Sequence, residues 1–332
     1  MGLNLVECTV KDRWNRFAEE SPHGSVFCYT PFVDALAEDY RLLLVEGCRE
    51  PLGGVVLHLR DGQPCSGDCL FAIYQGVLLS PSVCRARPHS RAPRASQVLG
   101  FLLAELEKRY ERISVCLHYR FNDLRTFSWF HHHEPERGRF RIELQYSALL
   151  DLSQVADFDR YLRSIRELRR REYRRCQSSG FRISPSSDLD SLRRLYEQTY
   201  ARQGLRCQTK EVGTFLAGSR AALENGFGEL LTCVAPDGAI ASANVFLFDR
   251  RCAYYWLGVN DPQYRKTGAG TYLMLETIRR WQQKGLEAID FVGINSPNRG
   301  DFKTSFNAAP VAYFTATWER PASCLSGSLA HL

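Results

Sequence analysis

The feature that most constrains this sequence is a glycine-rich turn between a predicted strand and a predicted helix. Residues 265–271 read RKTGAGT and follow a strand predicted over residues 253–259. Gly268 and Gly270 allow backbone N–H groups to point into one concavity, and the N-terminus of the next helix carries partial positive charge. The pattern predicts either a phosphate-binding site or only a tight turn, and by itself it leaves both interpretations open.

The elements around this turn predict an α/β (α+β) protein with mixed, mostly antiparallel sheets. Apolar periodicity and turn residues after residue 150 predict helices over residues 151–180, 187–204, 214–223 and 271–284, and strands over residues 181–184, 229–235, 241–248, 253–259 and 287–293. The helix over 187–204 is expected to begin at an N-cap Ser187, and Gly180 is expected just past the end of the preceding helix.

The first half repeats this order more faintly. Helices are predicted over residues 31–39 and 96–111, strands over residues 41–46, 53–59, 71–79, 113–119 and 140–150, and a mobile basic loop over residues 81–94. Two halves with one order of elements indicate a duplicated α/β unit. The predicted domains are residues 1–150 and 151–320, and the strand over 310–320 is expected to pack on either of them.

Composition excludes several classes of protein. The 332 residues are 44% hydrophobic and 24% charged, which is ordinary for a folded globular chain. No apolar run is long enough for a membrane span, and the N-terminus has no signal-peptide core, so a cytosolic protein with reduced thiols is expected. Cys65 and Cys69 are the only closely spaced cysteines, and residues 131–133, three histidines, are predicted to form a solvated loop. The sequence therefore predicts no metal site.

The net charge of +6 is unevenly distributed. Eight arginines fall between residues 160 and 175, and only Glu167 and Glu172 oppose them. Such a block favours a polyanionic partner, although a solvated helix face has the same appearance. The candidate nucleic-acid contacts are Arg166, Arg170, Arg171 and Arg174.

A second candidate site lies on residues 293–307, which leave the last predicted strand near the glycine turn. Lys303 is its most obvious electrophilic group, because an ammonium there could stabilise the oxyanion of an acyl-transfer intermediate. A solvated loop lysine is the alternative interpretation. Asp290, in an otherwise apolar strand, is either a general base or a buried carboxylate bonded to a neighbour.

These motifs carry a resemblance to known acyltransferases. The R-x-x-G-x-G turn, set between an antiparallel meander and a helix–strand pair, resembles the acyl-CoA loop of GNAT N-acyltransferases. The second half resembles the C-terminal domain of FemXAB peptidyltransferases and of a sister group of acetyltransferase-like proteins. The matching positions are Tyr264, Arg265, residues 268–273, Ile278, Gly285, Leu286, residues 290–294, Phe302, Lys303, Phe306, Asn307 and Tyr313, with residues 168–183 and 196–204 upstream.

The resemblance implies two tandem GNAT-like domains, the first of them degenerate, and transfer of an aminoacyl group from aminoacyl-tRNA to an amine. The Phe-Lys pair of the family falls on Phe302 and Lys303, and its strand tyrosines fall on Tyr254 and Tyr255. The predicted catalytic residues are Lys303, Tyr255 and Asp290. The predicted donor-binding residues are Arg265, Lys266, Gly268, Gly270, Thr271 and Phe302. The predicted acceptor-binding residues are Arg202, Arg206, Tyr254 and Asn295.

Three functions remain open from the sequence. The first is the aminoacyl-tRNA-dependent transferase, with tRNA and a small-molecule or peptide amine as partners and no permanently bound cofactor. The second is an N-acyltransferase that uses acyl-CoA or an acyl-carrier protein, which the R-x-x-G-x-G turn favours. The third is a non-catalytic RNA-binding module.

Overall fold

A computed structural model describes residues 2–202, 204 and 206–322. The described chain divides into two compact units: unit 1 comprises residues 2–145 and 312–322, and unit 2 comprises residues 146–311. Both units mix helices with strands, as the sequence predicts. Among the described residues, no helix has both the length and the hydropathy that crossing a membrane requires.

Unit 1 contains most of the shorter strands of the chain. Its elements are β1 (Asn4–Glu7), α1 (Lys11–Glu20), α2 (Thr30–Leu36), β2 (Asp39–Glu46), β3 (Pro51–Arg60), β4 (Gln63–Pro64), β5 (Val77–Leu79), α3 (Pro81–Cys84), α4 (Pro88–Glu107), β6 (Arg112–Leu117) and α5 (Arg125–Trp129). Strands β1, β2 and β3 are antiparallel neighbours, and β4 and β5 both pair with β3. Helix α4 packs its apolar face into a core that includes Val55, Leu57 and Trp318.

Two predictions for unit 1 are wrong. The expected mobile loop over residues 81–94 is helical, because Pro88 occupies the first position of α4, where a missing N–H costs nothing. The expected strand over residues 71–79 is present only at Val77–Leu79. Phe71 and Tyr74 have φ values of +67° and +59°, which are incompatible with an extended strand.

The predicted solvated histidine loop also needs correction. His132 and His133 are exposed. The His131 side chain is buried: its Nδ1 lies 2.9 Å from the Gly138 carbonyl oxygen and its Nε2 lies 3.2 Å from a Glu107 carboxylate oxygen. His131 is therefore part of the packing of unit 1. Across the described residues, no three His, Cys, Asp or Glu side chains are placed to share a metal ion.

Unit 2 is built on a longer sheet. The remaining elements are β7 (Arg141–Asp151), α6 (Phe158–Ser164), α7 (Glu167–Ser178), β8 (Arg182–Ser186), α8 (Leu189–Ala201), α9 (Thr209–Glu224), β9 (Gly228–Val234), β10 (Ile240–Phe248), β11 (Cys252–Asn260), α10 (Ala269–Gln283), β12 (Ala288–Asp290), α11 (Pro297–Thr304) and β13 (Ala309–Glu319). The boundary between the units falls inside β7 and inside β13. In unit 2 the strand order is β7-β12-β11-β10-β9-β8, and only β11 and β12 are parallel.

Helices cover both faces of this sheet. Helices α6, α7 and α10 share one core with alternate strand residues such as Leu231, Phe246 and Ala253. Helices α8 and α9 contact strands β9, β10 and β11 from the other face. The parallel step from β11 through α10 to β12 places the glycine turn and the end of β12 at the carboxyl ends of neighbouring strands, where ligands of α/β proteins commonly bind.

Several boundaries in unit 2 differ from those predicted. The helix expected over residues 151–180 is split, because Ile165 and Arg166 adopt extended dihedrals between α6 and α7. Pro185 does not end β8, since β8 is an edge strand where a missing N–H is tolerated. The N-cap of α8 is Asp188, whose carboxylate accepts from the Ser191 N–H at 2.9 Å, and not Ser187. Gly180, with φ +80°, follows α7 as predicted.

Candidate functional site

Lys303 lies on helix α11, not on the loop that the sequence predicts. Its ammonium donates to the carbonyl oxygens of Val292 at 2.6 Å and Gly293 at 2.9 Å, just past the end of β12. Nζ also lies 5.5 Å from the centre of the Tyr255 ring. Burial lowers the pKa of Lys303 from its usual 10.5 to about 8, with Asp290 opposing this shift and Arg299 adding to it. The interpretation of Lys303 as a solvated lysine is therefore wrong.

Asp290 and Tyr255 complete the predicted catalytic group around Lys303. The Asp290 carboxylate is fully buried; it accepts from the Ser147 hydroxyl and, at 2.8 Å, from the Val292 N–H. This is the buried, hydrogen-bonded carboxylate of the two sequence interpretations, and its charge acts on Lys303. Burial raises the pKa of the Tyr255 phenol well above its ordinary value. The structure thus brings Lys303, Tyr255 and Asp290 together.

Two predicted acceptor contacts have structural partners instead. Tyr254 is 2% exposed, and its hydroxyl donates to Asp249 at 2.8 Å, so its side chain is engaged within the fold and its acceptor role stays a prediction. The Asn295 side chain is exposed, but its Oδ1 accepts from the Tyr146 N–H at 2.8 Å. This bond ties the segment after β12 to β7. The acceptor role of Asn295 stays a prediction.

The glycine turn forms the N-terminus of α10. Gly268 is the N-cap, with φ +91°, a left-handed conformation that glycine adopts without strain. Gly270 and Thr271 lie in the first turn of the helix. Arg265 and Lys266 precede it, and both are exposed. The turn therefore has the backbone shape and the flanking cations that the sequence predicts, and its role in donor binding stays a prediction.

A carboxylate from α7 lies directly against this turn. Glu172 accepts from the Thr271 hydroxyl at 2.6 Å, and a Cβ added at Gly268 would lie 2.6 Å from the Glu172 Cβ. Arg175 donates to the carbonyl oxygens of Lys266 at 2.8 Å and of Thr267 at 2.9 Å. Helix α7 thus covers one side of the turn and brings a negative charge to the N-terminus of α10, where a ligand phosphate would otherwise be favoured.

Arg169 connects the turn to the helix of Lys303. Its guanidinium donates to Glu172 at 2.9 Å and to the Ser305 hydroxyl at 2.8 Å. The guanidinium carbon also lies 4.7 Å from the centre of the Phe302 ring. Since the side chains of Arg169 and Glu172 are 11% and 17% exposed, this is a largely buried ion pair. One side chain therefore joins α7, the start of α10 and α11.

The spacing of apolar residues around Arg169 indicates that this arginine is largely buried, which the high arginine content of the segment does not reveal. Arg169 lies four residues before Tyr173 on α7, and Tyr173 is buried. Residues at this spacing share a helix face, so Arg169 lies on the buried face of the helix, whereas most of the neighbouring arginines face solvent.

The remaining arginines of the block differ in their partners. Arg166 makes two bonds to Asp301, at 2.6 and 2.7 Å, and Arg171 pairs with Glu167. Within the described chain, Arg170 and Arg174 make no ion pair; Arg174 is exposed and Arg170 half-buried. These two arginines are the predicted nucleic-acid contacts whose charge is available to a partner.

The other two predicted acceptor residues lie at the end of α8. Arg202 is the C-cap of α8 and is exposed. Arg206 lines a surface depression of about 430 Å³ between α8 and α9, together with Arg193, Glu197 and Cys207. This depression has basic and acidic groups on one rim. The predicted roles of Arg202 and Arg206 stay predictions.

Comparison with known proteins agrees with this architecture. Residues 163–304 match the family model described as Acetyltransferase (GNAT) domain. The crystal structure of FemX has a TM-score of 0.70 and 12% identity, covering 99% of this chain and 100% of FemX. A tandem GNAT protein from the clavulanic acid biosynthesis pathway has a TM-score of 0.52 and 14% identity, covering 96% of this chain and 98% of its own.

A third solved structure with a similar fold is described as part of a different enzyme. The C-terminal domain of a putative lysylphosphatidylglycerol synthetase from Agrobacterium fabrum has a TM-score of 0.53 and 11% identity, covering 95% of this chain and 93% of that domain. No curated protein matches the sequence. The chain therefore has the FemXAB/GNAT-like fold, and the matched family model supports an acyltransferase.

Proposed function

We propose that this protein transfers an aminoacyl group from aminoacyl-tRNA to an amine, forming an amide bond. The observation that carries the proposal is the buried Lys303 ammonium, held by two carbonyl oxygens at the end of β12 beside Tyr255 and Asp290. An ammonium has three N–H donors, so one remains for a substrate oxygen. Through Arg169, the helix that carries Lys303 is tied to the glycine turn.

The reaction needs positioning and charge stabilisation more than a covalent enzyme intermediate. The acceptor amine attacks the ester carbonyl and a C–N bond forms, with negative charge on the carbonyl oxygen. Lys303 stabilises this oxyanion. The ester C–O bond then breaks, the terminal ribose hydroxyl of the tRNA leaves with one proton, and the amine nitrogen loses one proton. The high pKa of Tyr255 suits a neutral phenol that orients a substrate or relays that proton.

The choice of tRNA over acyl-CoA is supported by the charges around α7 and α10. The Glu172 side chain lies against Gly268 and Thr271, so it occupies one side of the turn that a pyrophosphate would need to approach. Arg170 and Arg174 stand without an ion pair among the described residues, on the same helix as Glu172. Phosphate contacts from such arginines supply most of the sequence-independent affinity for nucleic acids. A tRNA donor also implies a cytosolic protein.

The proposed acceptor is a small-molecule or peptide amine. Arg206 in the depression between α8 and α9 suits an acceptor that also carries an anionic group, whereas the neighbouring Arg193 pairs with Glu197 at 2.9 Å. Arg206→Ala is expected to raise the KM for such an acceptor while changing kcat little.

An acyl-CoA-dependent N-acyltransferase is the second candidate. The exposed Arg265 and Lys266 beside the left-handed Gly268 favour it, since they retain the electropositive character of a phosphate-binding turn. A donor exchange separates the two candidates: the full chain is incubated with an amine mixture and either charged tRNA or acyl-CoA, and products are identified by mass spectrometry.

We expect the mass of an aminoacyl group on the acceptor with charged tRNA, and loss of this product when RNase is added first. Transfer from acyl-CoA that resists RNase would replace the proposal by the second candidate. RNA binding without transfer from either donor, and unchanged by Lys303→Met, would identify a non-catalytic RNA-binding module.

A further inference from the structure

Unit 1 contains a surface groove that the proposed function does not use. It lies between α4 and α5 and has a volume of about 410 Å³. Its lining includes the polar or aromatic side chains of Ser96, Gln97, Asp123, Arg125, Thr126 and Trp129. A bond of 2.8 Å between the Ser96 and Thr126 hydroxyls links the two helices across it.

Trp129 is an exceptional residue of this groove. Its side chain is 54% exposed, although a large aromatic ring on a surface is costly to leave in water. The Arg125 guanidinium carbon lies 5.4 Å from the centre of its ring. Asp123 accepts two bonds from Arg125, at 2.8 and 2.7 Å, and so fixes the guanidinium in place. The result is a flat stacking surface with a cation held against it.

The chain around the start of α4 is strongly basic. Residues 69–104 contain no acidic residue, whereas they contain Arg85, Arg87, Arg91 and Arg94. None of these four arginines makes an ion pair within the described chain, and all except Arg94 are exposed. They occupy the first turns of α4 and the segment before it, and residues 92–97 of the same helix line the groove.

We infer that this groove binds single-stranded RNA, with a base stacked on Trp129 and phosphates on the arginines of residues 85–94. Stacking platforms combined with unpaired cations are the recognition mode of single-stranded nucleic acids. Gln97 and Asp123 can bond the edge of the stacked base. This surface goes beyond the proposed function, which assigns RNA only to α7 of unit 2.

The chemistry of the groove favours RNA over an anionic lipid surface. A membrane-docking aromatic residue is accompanied by further apolar side chains that enter the bilayer. Besides Trp129, the groove is lined by a guanidinium, a carboxylate, an amide and two hydroxyls, and its other apolar contributors are the small side chains of Ala92 and Pro93.

The test uses the intrinsic fluorescence of the full chain. Trp129 is the exposed indole, since Trp14, Trp281 and Trp318 are 0% exposed and Trp256 is 7% exposed. A single-stranded RNA oligomer without an aminoacyl group is expected to quench Trp129. Trp129→Ala is expected to bind this oligomer about 5- to 150-fold more weakly, and Trp129→Phe, which keeps an aromatic face, much less so.

The arginines are tested by salt dependence. Arg87→Ala with Arg91→Ala is expected to reduce the slope of log affinity against log salt by about 1.4, while Arg16→Ala, an exposed arginine on α1, leaves it unchanged. Equal binding by Trp129→Ala and wild type would overturn the inference, as would equal quenching by polyglutamate or anionic vesicles. Because the oligomer carries no aminoacyl group, failure here leaves the transfer assay unaffected, and the converse also holds.

Discussion

The two units bury different ionisable side chains, although unit 1 also buries the Glu107 carboxylate, which pairs with Arg137 at 2.8 Å. In unit 1, His23 and His58 are buried, and burial lowers the pKa of each to about 4, with Arg120 adding to the shift at His23. His58 Nδ1 lies 3.1 Å from the Cys69 thiol, whose pKa burial raises to about 12. At neutral pH the two histidines and this thiol carry no charge.

Unit 2 buries charged groups around the candidate site, beside neutral buried thiols such as Cys233. Lys303 lies near Asp290, and Arg169 pairs with Glu172 at 2.9 Å. Removing charges from water is costly, so a fold that does so without a use for them is at a disadvantage. We infer that the buried histidines of unit 1 serve packing, and we propose that Lys303 and Arg169 of unit 2 serve the proposed transfer reaction. Each prediction below tests one side of this difference.

The largest effect on stability is expected for Arg169→Ala. The substitution leaves Glu172 largely buried without its cation, which costs about 3 kcal/mol or more. It also releases Ser305 and Phe302 of α11, so kcat is expected to fall while donor affinity changes less. Urea unfolding and steady-state kinetics measure both effects.

The double variant Arg169→Ala with Glu172→Gln serves as the control for Arg169→Ala, because it removes the stranded charge. We expect it to recover most of the stability but not the kcat. If the double variant recovered both the stability and the kcat, Arg169 would have a structural role only, and no role in positioning α11.

Lys303 is expected to make unit 2 more stable at alkaline pH. The folded state loses the Lys303 proton near pH 8, whereas the unfolded chain keeps it up to its usual 10.5. Between these values the unfolded state binds more protons, so the free energy of unfolding rises with pH. Subtracting the curve of Lys303→Met from that of wild type isolates this rise. Parallel curves would contradict the buried ammonium.

Unit 1 is expected to respond at acid pH. For His23 and His58 the pKa is about 4 in the folded state and an ordinary 6.5 in the unfolded chain, so the unfolded state takes up protons first as the pH falls. Stability is therefore lost between about pH 6.5 and 4, on the order of 3 kcal/mol for each histidine. Hydrogen exchange, corrected for intrinsic rates, should show β3 and β5 losing protection before β10 and β11.

His58→Gln provides the matched test of acid sensitivity. It removes one titrating group, so the loss of protection on acidification should become smaller. An unchanged acid response in both this variant and His23→Gln would assign the sensitivity elsewhere.

The smallest effect is expected on the surface of α7. Arg170→Glu with Arg174→Glu should weaken tRNA binding by about tenfold at low salt, with less difference at high salt. The control is Arg220→Glu, an exposed arginine on α9. Filter binding at several salt concentrations measures the effect. An equal loss of tRNA affinity in the Arg220→Glu control would show that α7 does not contact the RNA specifically.

The sequence predicted the meander and the glycine turn well because their signals are local. Asp237 and Gly238 mark a hairpin, and Gly268 marks the start of α10. Helix α11 was missed because its signals are tertiary. A Cβ at Gly300 would lie 2.9 Å from the Ile294 carbonyl oxygen, so a residue that lowers helix propensity is required there by close packing.

The sequence identified which residues form the candidate site, but it did not reveal what surrounds each side chain. The resemblance placed Lys303 and Tyr255 in the site, and the structure brings them together. No local pattern predicts that the hydroxyl of Tyr254, one residue away, donates to the half-buried Asp249 instead. Adjacent strand residues point to opposite faces, so the choice between them depends on which helices cover each face.

The most direct test of the account is single-turnover transfer from charged tRNA to an amine acceptor, measured across pH in wild type and Lys303→Met. We predict that the wild-type rate, after correction for ionisation of the acceptor, falls as the pH rises through about 8, because the ammonium becomes neutral. Lys303→Met should fold normally and lose about 100- to 1,000-fold in rate. Transfer by Lys303→Met at the wild-type rate, with the same pH profile, would contradict the central claim.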